Sequence, residues 1–202
     1  MTTKKRFILI FLFAISYYTF AQNKSDCTKI DALIELMATG EGSAAANIQG
    51  ITETLIQHPN YYMMYFTRGL MKRSLKDYRG AIADFTKAIE ICKAGTGMPS
   101  EEGKQVSTLI KSYIGRGTSK AILELENGNF VSALSDLNQA EVLVNKWKET
   151  YNVEVIDLPK IYFFRGVIKL YQNDNEVACN SFSKAGDYGC EEVYAYIQKY
   201  CQ

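Results

Sequence analysis

The chain has 202 residues, of which 47% are hydrophobic and 22% charged, with 23 Lys and Arg against 22 Asp and Glu. A balance this close to neutrality leaves no basic footprint for nucleic acid, and that apolar content with only three prolines excludes a mainly disordered chain. The length suits one ordinary domain.

In chain order, Lys4, Lys5 and Arg6 precede a mostly apolar run from Phe7 to Phe20, and then Ala21-Gln22. A basic head, an apolar stretch and a small residue at its end describe a secretory signal peptide over residues 1–21. The run of 14 residues falls short of the about twenty that a membrane-spanning helix needs. The expectation is therefore an exported protein, in the periplasm or cell envelope or secreted, with no stable membrane anchor after cleavage. Cys27 follows Lys24-Ser25-Asp26, which lacks the apolar and small residues that precede a lipidated cysteine.

Residues 22–60 read as an N-terminal helical pair, Cys27–Thr39 and Ser43–Gln57, joined at Gly40-Glu41-Gly42. Beyond them, residues 61–202 carry a stretch that recurs three times: YFTRG from Tyr65, YIGRG from Tyr113 and YFFRG from Tyr162. Gly69 and Gly117 are 48 residues apart, and Gly117 and Gly166 are 49. Self-similarity at a fixed period of this size points to a repeat architecture. Ala81, Phe85 and Ala88 stand 12, 16 and 19 residues after Gly69, and Ala178, Phe182 and Ala185 stand at the same offsets after Gly166. In the middle unit Ala133, Leu137 and Ala140 come four residues later. Four residues are close to one helical turn of about 3.6, so the apolar face is kept, and Ala121 takes the small-residue slot of a longer first helix.

Each unit reads as two amphipathic helices and a tight turn, broken at Asp77-Tyr78 in the first and at Asn127-Gly128-Asn129 in the middle one. Glycine within a helix costs about 1 kcal/mol against alanine, so three glycines in equivalent slots imply that two helix axes must approach closely there. Tyr65, Tyr113 and Tyr162 complete the packing set. Extra segments near Gly95–Gly103 and Lys146–Leu158 separate the units, and Cys190–Cys201 reads as a last helix covering the third.

With aromatic, Gly, Ala, aromatic and Ala in this order, the stretch from Tyr62 to Cys92 resembles the tetratricopeptide repeat (TPR). The resemblance is looser from Ile110 to Val144 and good again from Pro159 to Cys190. It departs from the family in its longer period and in Lys72 and Lys169, which replace a large apolar residue. It implies an all-α fold of stacked antiparallel helical hairpins, a TPR-like α-solenoid with N- and C-terminal capping helices. It also implies that the first helices line a concave surface, onto which Phe66, Leu70, Arg73, Ile114, Thr118, Phe163, Val167 and Tyr171 map as candidate partner-binding residues.

The arginines of the triplet, Arg68, Arg116 and Arg165, allow two readings: a ladder of anion contacts, or ion pairs to the second helix. Asp84 and Asp136 occupy equivalent slots for such pairs, and the third unit has Ser181 there. Arginine's fork and apolar stem suit the fixed ion pair.

Of five cysteines, Cys179 lies near the start of the third unit's second helix and Cys201 at the end of the last one. Antiparallel neighbours would bring these two together. Cys190 and Cys201, 11 residues apart, would stand about 16 Å apart on a continuous helix, beyond the about 7 Å that a disulfide spans. Cys179–Cys201 is therefore the expected bridge, with Cys27–Cys92 a second candidate. The terminal cysteine arrangement also resembles that of small exported TPR proteins of Bacteroidetes.

Catalysis finds little support. The one histidine, His58, precedes a proline at a helix end, and Glu101-Glu102 and Glu191-Glu192 sit at helix starts, where they complement the dipole. No phosphate loop, nucleophile elbow or metal motif occurs, so neither an enzyme nor a cofactor or metal is expected. The expected function is a protein–protein interaction scaffold or adaptor that binds a peptide or partner helix on its concave apolar and aromatic surface; the alternative is a carrier of a small apolar ligand in the same concavity.

Overall fold

The computed structural model describes residues 44–96, 102–151 and 157–201. Among them the chain is all-helical, with α1 (Ala44–Gln57), α2 (Tyr62–Ser74), α3 (Tyr78–Ala94), α4 (Glu102–Glu124), α5 (Val131–Tyr151), α6 (Leu158–Tyr171), α7 (Asn175–Asp187) and α8 (Val193–Tyr200). The expected signal segment, the helix expected over Cys27–Thr39 and Cys27 itself lie outside the described residues. No described helix is long and apolar enough to cross a membrane.

One turn device is used three times. After α2, Lys76 takes a left-handed φ of 62°, and the Asp77 N–H donates back to the Lys72 carbonyl at 2.8 Å. After α6, Asn173 takes φ 60° and the Asp174 N–H donates to the Lys169 carbonyl at 2.9 Å. After α7, Gly189 has φ 87° and the Cys190 N–H donates to the Ala185 carbonyl at 3.0 Å. This six-to-one bond is the Schellman closure, which satisfies a carbonyl left over at a helix end. In the first two turns the aspartate also caps the next helix: Asp77 accepts from the Gly80 N–H and Asp174 from the Val177 N–H. Helix end, reversal and helix start are thus written in three residues.

The middle pair differs. Its helices have 23 and 21 residues, and Gly128 (φ 68°) with the Asn127 and Asn129 side chains closes a longer turn. The extra segments expected at Gly95–Gly103 and Lys146–Leu158 are partly helix: Gly103 lies in α4 and Lys146–Tyr151 in α5. The last helix is shorter than expected, because the left-handed turn at Gly189 leaves Cys190 outside it.

Consecutive helices pack on one another from α2 to α5 and from α6 to α8, whereas α5 touches α6 sparsely. Ala81, Phe85 and Ala88, Ala133, Leu137 and Ala140, and Ala178, Phe182 and Ala185 all have no accessible surface, and Ala121 is buried with them. A Cβ at Gly69 would stand 3.0 Å from the Phe85 ring, at Gly117 3.0 Å from the Ala133 carbonyl oxygen, and at Gly166 2.5 Å from the Phe182 ring. The glycines therefore set how near each pair of axes comes. Tyr113 and Tyr162 are buried and Tyr65 is half-buried. At the end of the stack Cys179 and Cys201 stand at disulfide distance, their Cα atoms 5.6 Å apart, so the last helix is tied to α7. Among the described residues Cys92 has no disulfide partner, the second candidate, Cys27, lying outside them, and the Cys190 thiol donates to Glu192.

Candidate functional site

The three arginines are the first candidates. Arg68 donates from Nε and Nη2 to both Asp84 oxygens at 2.8 and 2.7 Å, and Arg116 does the same to Asp136 at 2.9 and 2.7 Å. Their remaining Nη1 groups reach backwards, Arg68 to the Thr52 hydroxyl on α1 at 2.9 Å and Arg116 to the Thr86 hydroxyl on α3 at 3.2 Å. A lysine one turn on completes each site: Lys72 lies 2.8 Å from Asp84 and Lys120 2.8 Å from Asp136. Beneath each guanidinium lies the tyrosine three residues before it, Tyr65 at 5.6 Å and Tyr113 at 5.3 Å from the ring centre. The hydrogen bond to Asp84 holds the Arg68 guanidinium above its ordinary pKa, against the opposing effect of burial. Each nitrogen of these two forks has a fixed partner within the chain, so the ladder of external anion contacts gives way to internal ion pairs.

The third site is rewired. Ser181 stands where the aspartate would be and bonds its own helix at Val177. Arg165 turns to the preceding pair, donating to Glu141 at 2.5 Å and to Asn138 at 2.8 Å, over the Tyr162 ring at 5.3 Å. The Tyr162 hydroxyl donates to the other Glu141 oxygen at 2.5 Å. Burial opposes ionisation of Glu141, but the hydrogen bonds from Tyr162 and Arg165, together with the charges of Arg165 and Lys184, hold the carboxyl below its usual value. Burial, then Glu141, pushes the Tyr162 phenol up to about 12. Lys169 pairs with Asp174 instead.

None of the eight residues expected on a concave surface is fully exposed. Leu70, Ile114, Thr118, Phe163 and Val167 are buried, and Phe66, Arg73 and Tyr171 are half-buried. They are occupied by one another and by the core. Arg73 donates to the Thr118 hydroxyl at 3.2 Å, and Phe66 packs on Phe85. Phe163 meets Tyr196 of α8 edge-on. The Tyr171 ring meets Phe130 edge-on while its hydroxyl donates to the Leu125 carbonyl at 2.6 Å.

The open surface lies on α5. Its exposed residues from position 131 to position 145 are Val131, Ser132, Ser135, Asn138, Gln139, Val142 and Asn145, none of them charged. The corresponding face of α3 exposes Arg79, Lys87, Glu90 and Lys93. Val131 is 72% and Val142 59% exposed, at the two ends of a shallow, open patch that also takes in Leu134, Ser135, Asn138 and Gln139. Charge borders it at Arg165 and Glu141, which pair with each other, at Glu124, which accepts from the Ser132 hydroxyl, and at the exposed Lys146, four residues after Val142. This face stays open because α6 covers α5 so little.

Sequence reasoning misses both the α5 face and the backward reach of the arginines, although each has a signal there. Thr86 and Asn138 stand two residues after Asp84 and Asp136, and the charges of residues 131–145 are confined to Asp136 and Glu141. Among the described residues no group of three His, Cys, Asp or Glu side chains is placed to hold a metal. Comparisons with protein-family models, curated proteins and solved structures give no match to the chain.

Proposed function

We propose that the chain is an exported interaction scaffold of the TPR type, whose stacked hairpins present the uncharged face of α5 to a partner protein. The spacing of the glycine seams and the repeated turn support the repeat reading; the basic and apolar N-terminal stretch supports export. The observation that carries the function is the α5 face itself. A surface helix ordinarily carries charge, and apolar side chains exposed among uncharged neighbours, as from Val131 to Asn145, cost little to desolvate when another surface covers them. The concave set named from the resemblance is given up as the recognition surface, since its residues are used internally. The same burial leaves the small-ligand carrier no supporting feature.

The test is retention of protein from an envelope extract by the immobilised chain, compared with a Val131→Glu, Val142→Glu variant. The proposal expects a protein held by the parent chain and lost with the variant. Retention that is equal for both, or absent for both, contradicts it.

A further inference from the structure

The turn between α4 and α5 carries a chemistry of its own, independent of the α5 face. We infer that Asn127 is a site of spontaneous modification, at which the chain loses ammonia and rearranges its own backbone. Asn-Gly occurs once in the sequence, at Asn127-Gly128. The reaction it permits is attack of the Gly128 backbone nitrogen on the side-chain carbonyl carbon of Asn127. Glycine favours this attack because it has no Cβ to crowd the closing ring, and nothing lies within 4 Å of the place where one would stand.

The Gly128 nitrogen gives its proton to water or hydroxide and forms a bond to Cγ of Asn127. The Cγ–Nδ2 bond breaks, ammonia leaves and a succinimide ring closes. Water then opens the ring at either carbonyl. Opening at Cγ leaves aspartate; opening at the main-chain carbon leaves isoaspartate, with the chain running through the side chain. Water is the only co-reactant, and a neutral amide has become a carboxylate.

Two hydrogen bonds of the turn act on this reaction in opposite directions. The Asn129 N–H donates to Asn127 Oδ1 at 2.9 Å. That oxygen gains negative charge during the attack, so a donor fixed there favours it. The Gly128 N–H donates to the Glu124 carbonyl at 2.9 Å, which holds the attacking nitrogen until that bond opens. The bond closes the end of α4, where helices fray, and Asn127 is exposed. Asn180-Ser181 supplies the comparison. Asn180 is exposed as well, but it lies within α7 and Ser181 is buried there, so the corresponding N–H is held inside a helix. Asn127 therefore reacts more slowly than in an unfolded chain and sooner than Asn180.

The product alters the turn. A carboxylate at position 127 joins Glu124 and Glu126 at the C-terminal end of α4, where the helix dipole disfavours negative charge. Isoaspartate lengthens the backbone just before Asn129, whose side chain accepts from the Val131 N–H at 3.2 Å at the start of α5. The modified chain should melt lower than the fresh one.

The test is incubation of the full chain in mildly alkaline buffer, folded and in urea, followed by peptide mapping that separates aspartate from isoaspartate. In the folded chain residue 127 should be converted before Asn180, with a mass gain of about 1 Da and both products present. In urea the conversion should be faster by about tenfold, because the bond to Glu124 is lost. Asn127→Ser should abolish the early mass gain and leave the helical circular dichroism unchanged, since a serine hydroxyl also accepts from the Asn129 N–H. Conversion of Asn180 first, aspartate as the sole product, or a folded rate equal to that in urea overturns the inference. So does an Asn127 that stays intact in the folded chain after the unfolded one has reacted completely.

Discussion

Arg116 grips both oxygens of Asp136 within its own helix pair and reaches with its third nitrogen to Thr86 on the pair before. One side chain therefore fixes the seam inside a hairpin and the register between neighbouring hairpins. Arg68 does the same between Asp84 and Thr52. With Lys72 also on Asp84, the carboxylate holds two cations in a nearly buried place. Removing Asp84 strands both, whereas removing Arg68 leaves Lys72 to neutralise the carboxylate. Losing one partner of a buried pair costs about 3–5 kcal/mol, so Asp84→Ala should lose about that much stability and Arg68→Ala clearly less. A double-mutant cycle read by urea unfolding should give a coupling of at least about 1 kcal/mol, above the exposed-pair range. Thr86→Ala, which removes one hydrogen bond, should cost about 1 kcal/mol.

The glycines divide into those that need to be glycine and those that do not. Gly166→Ala would put a Cβ 2.5 Å from the ring of Phe182, a core residue with no accessible surface. Forcing a carbon into a packed core costs typically about 1–3 kcal/mol, and the gain in helix propensity of about 1 kcal/mol does not offset a contact this short. Gly50, in α1, has nothing within 4 Å of the same position, so Gly50→Ala should raise the melting temperature. Thermal unfolding of the two variants side by side checks both signs.

How much of this can be read from the sequence varies with the range of the interaction. The seam residues Gly69, Ala81 and Phe85 are visible because the same offsets recur after Gly166, and the Arg68–Asp84 and Arg116–Asp136 pairs because both partners lie within one unit. The partner of Arg165 is not visible: Ser181 empties the expected slot, and Glu141 belongs to the preceding pair. The start of α4 is misplaced because Gly95 and Gly103 look alike as breakers, yet only Gly95 has a left-handed backbone. What covers Phe163 and Tyr171 is not visible, because it is decided by packing between helices far apart in sequence.

At the end of the stack, the Cys179–Cys201 bridge closes a loop with a sequence separation of 22. A loop of that length is worth about 3 kcal/mol, so Cys179→Ser with Cys201→Ser should lower stability by about that amount and fray α8 first. Non-reducing peptide mapping should recover Cys179 joined to Cys201. Burial pushes the Cys92 thiol up to about 12, and it should resist alkylation in the folded chain at neutral pH.

Asp157 begins α6 nearly buried, and its Oδ1 has no hydrogen-bond partner among the described residues. Burial raises its pKa, although Lys111 and Lys160 pull the other way. A carboxyl whose folded pKa is raised favours folding in its protonated form. Its contribution is therefore full below the ordinary carboxylate pKa and lost as pH rises through the higher folded value. Asp157→Asn removes the charge at nearly the same volume and should be more stable than the parent at neutral pH. The difference should vanish as the pH falls to where the parent carboxyl is protonated. Melting temperatures of both chains from acid to neutral pH measure this.

The central claim is a division of labour: the repeated arginines hold the hairpins together, and the uncharged face of α5 meets the partner. Partner retention and melting temperature, measured together on Arg116→Ala and on Val131→Glu, Val142→Glu well below either melting point, separate the two roles. The account predicts that the arginine variant melts lower but still retains the partner, and that the valine variant melts like the parent and retains nothing. An arginine variant that loses the partner while folded, or a valine variant that keeps it, would contradict the account.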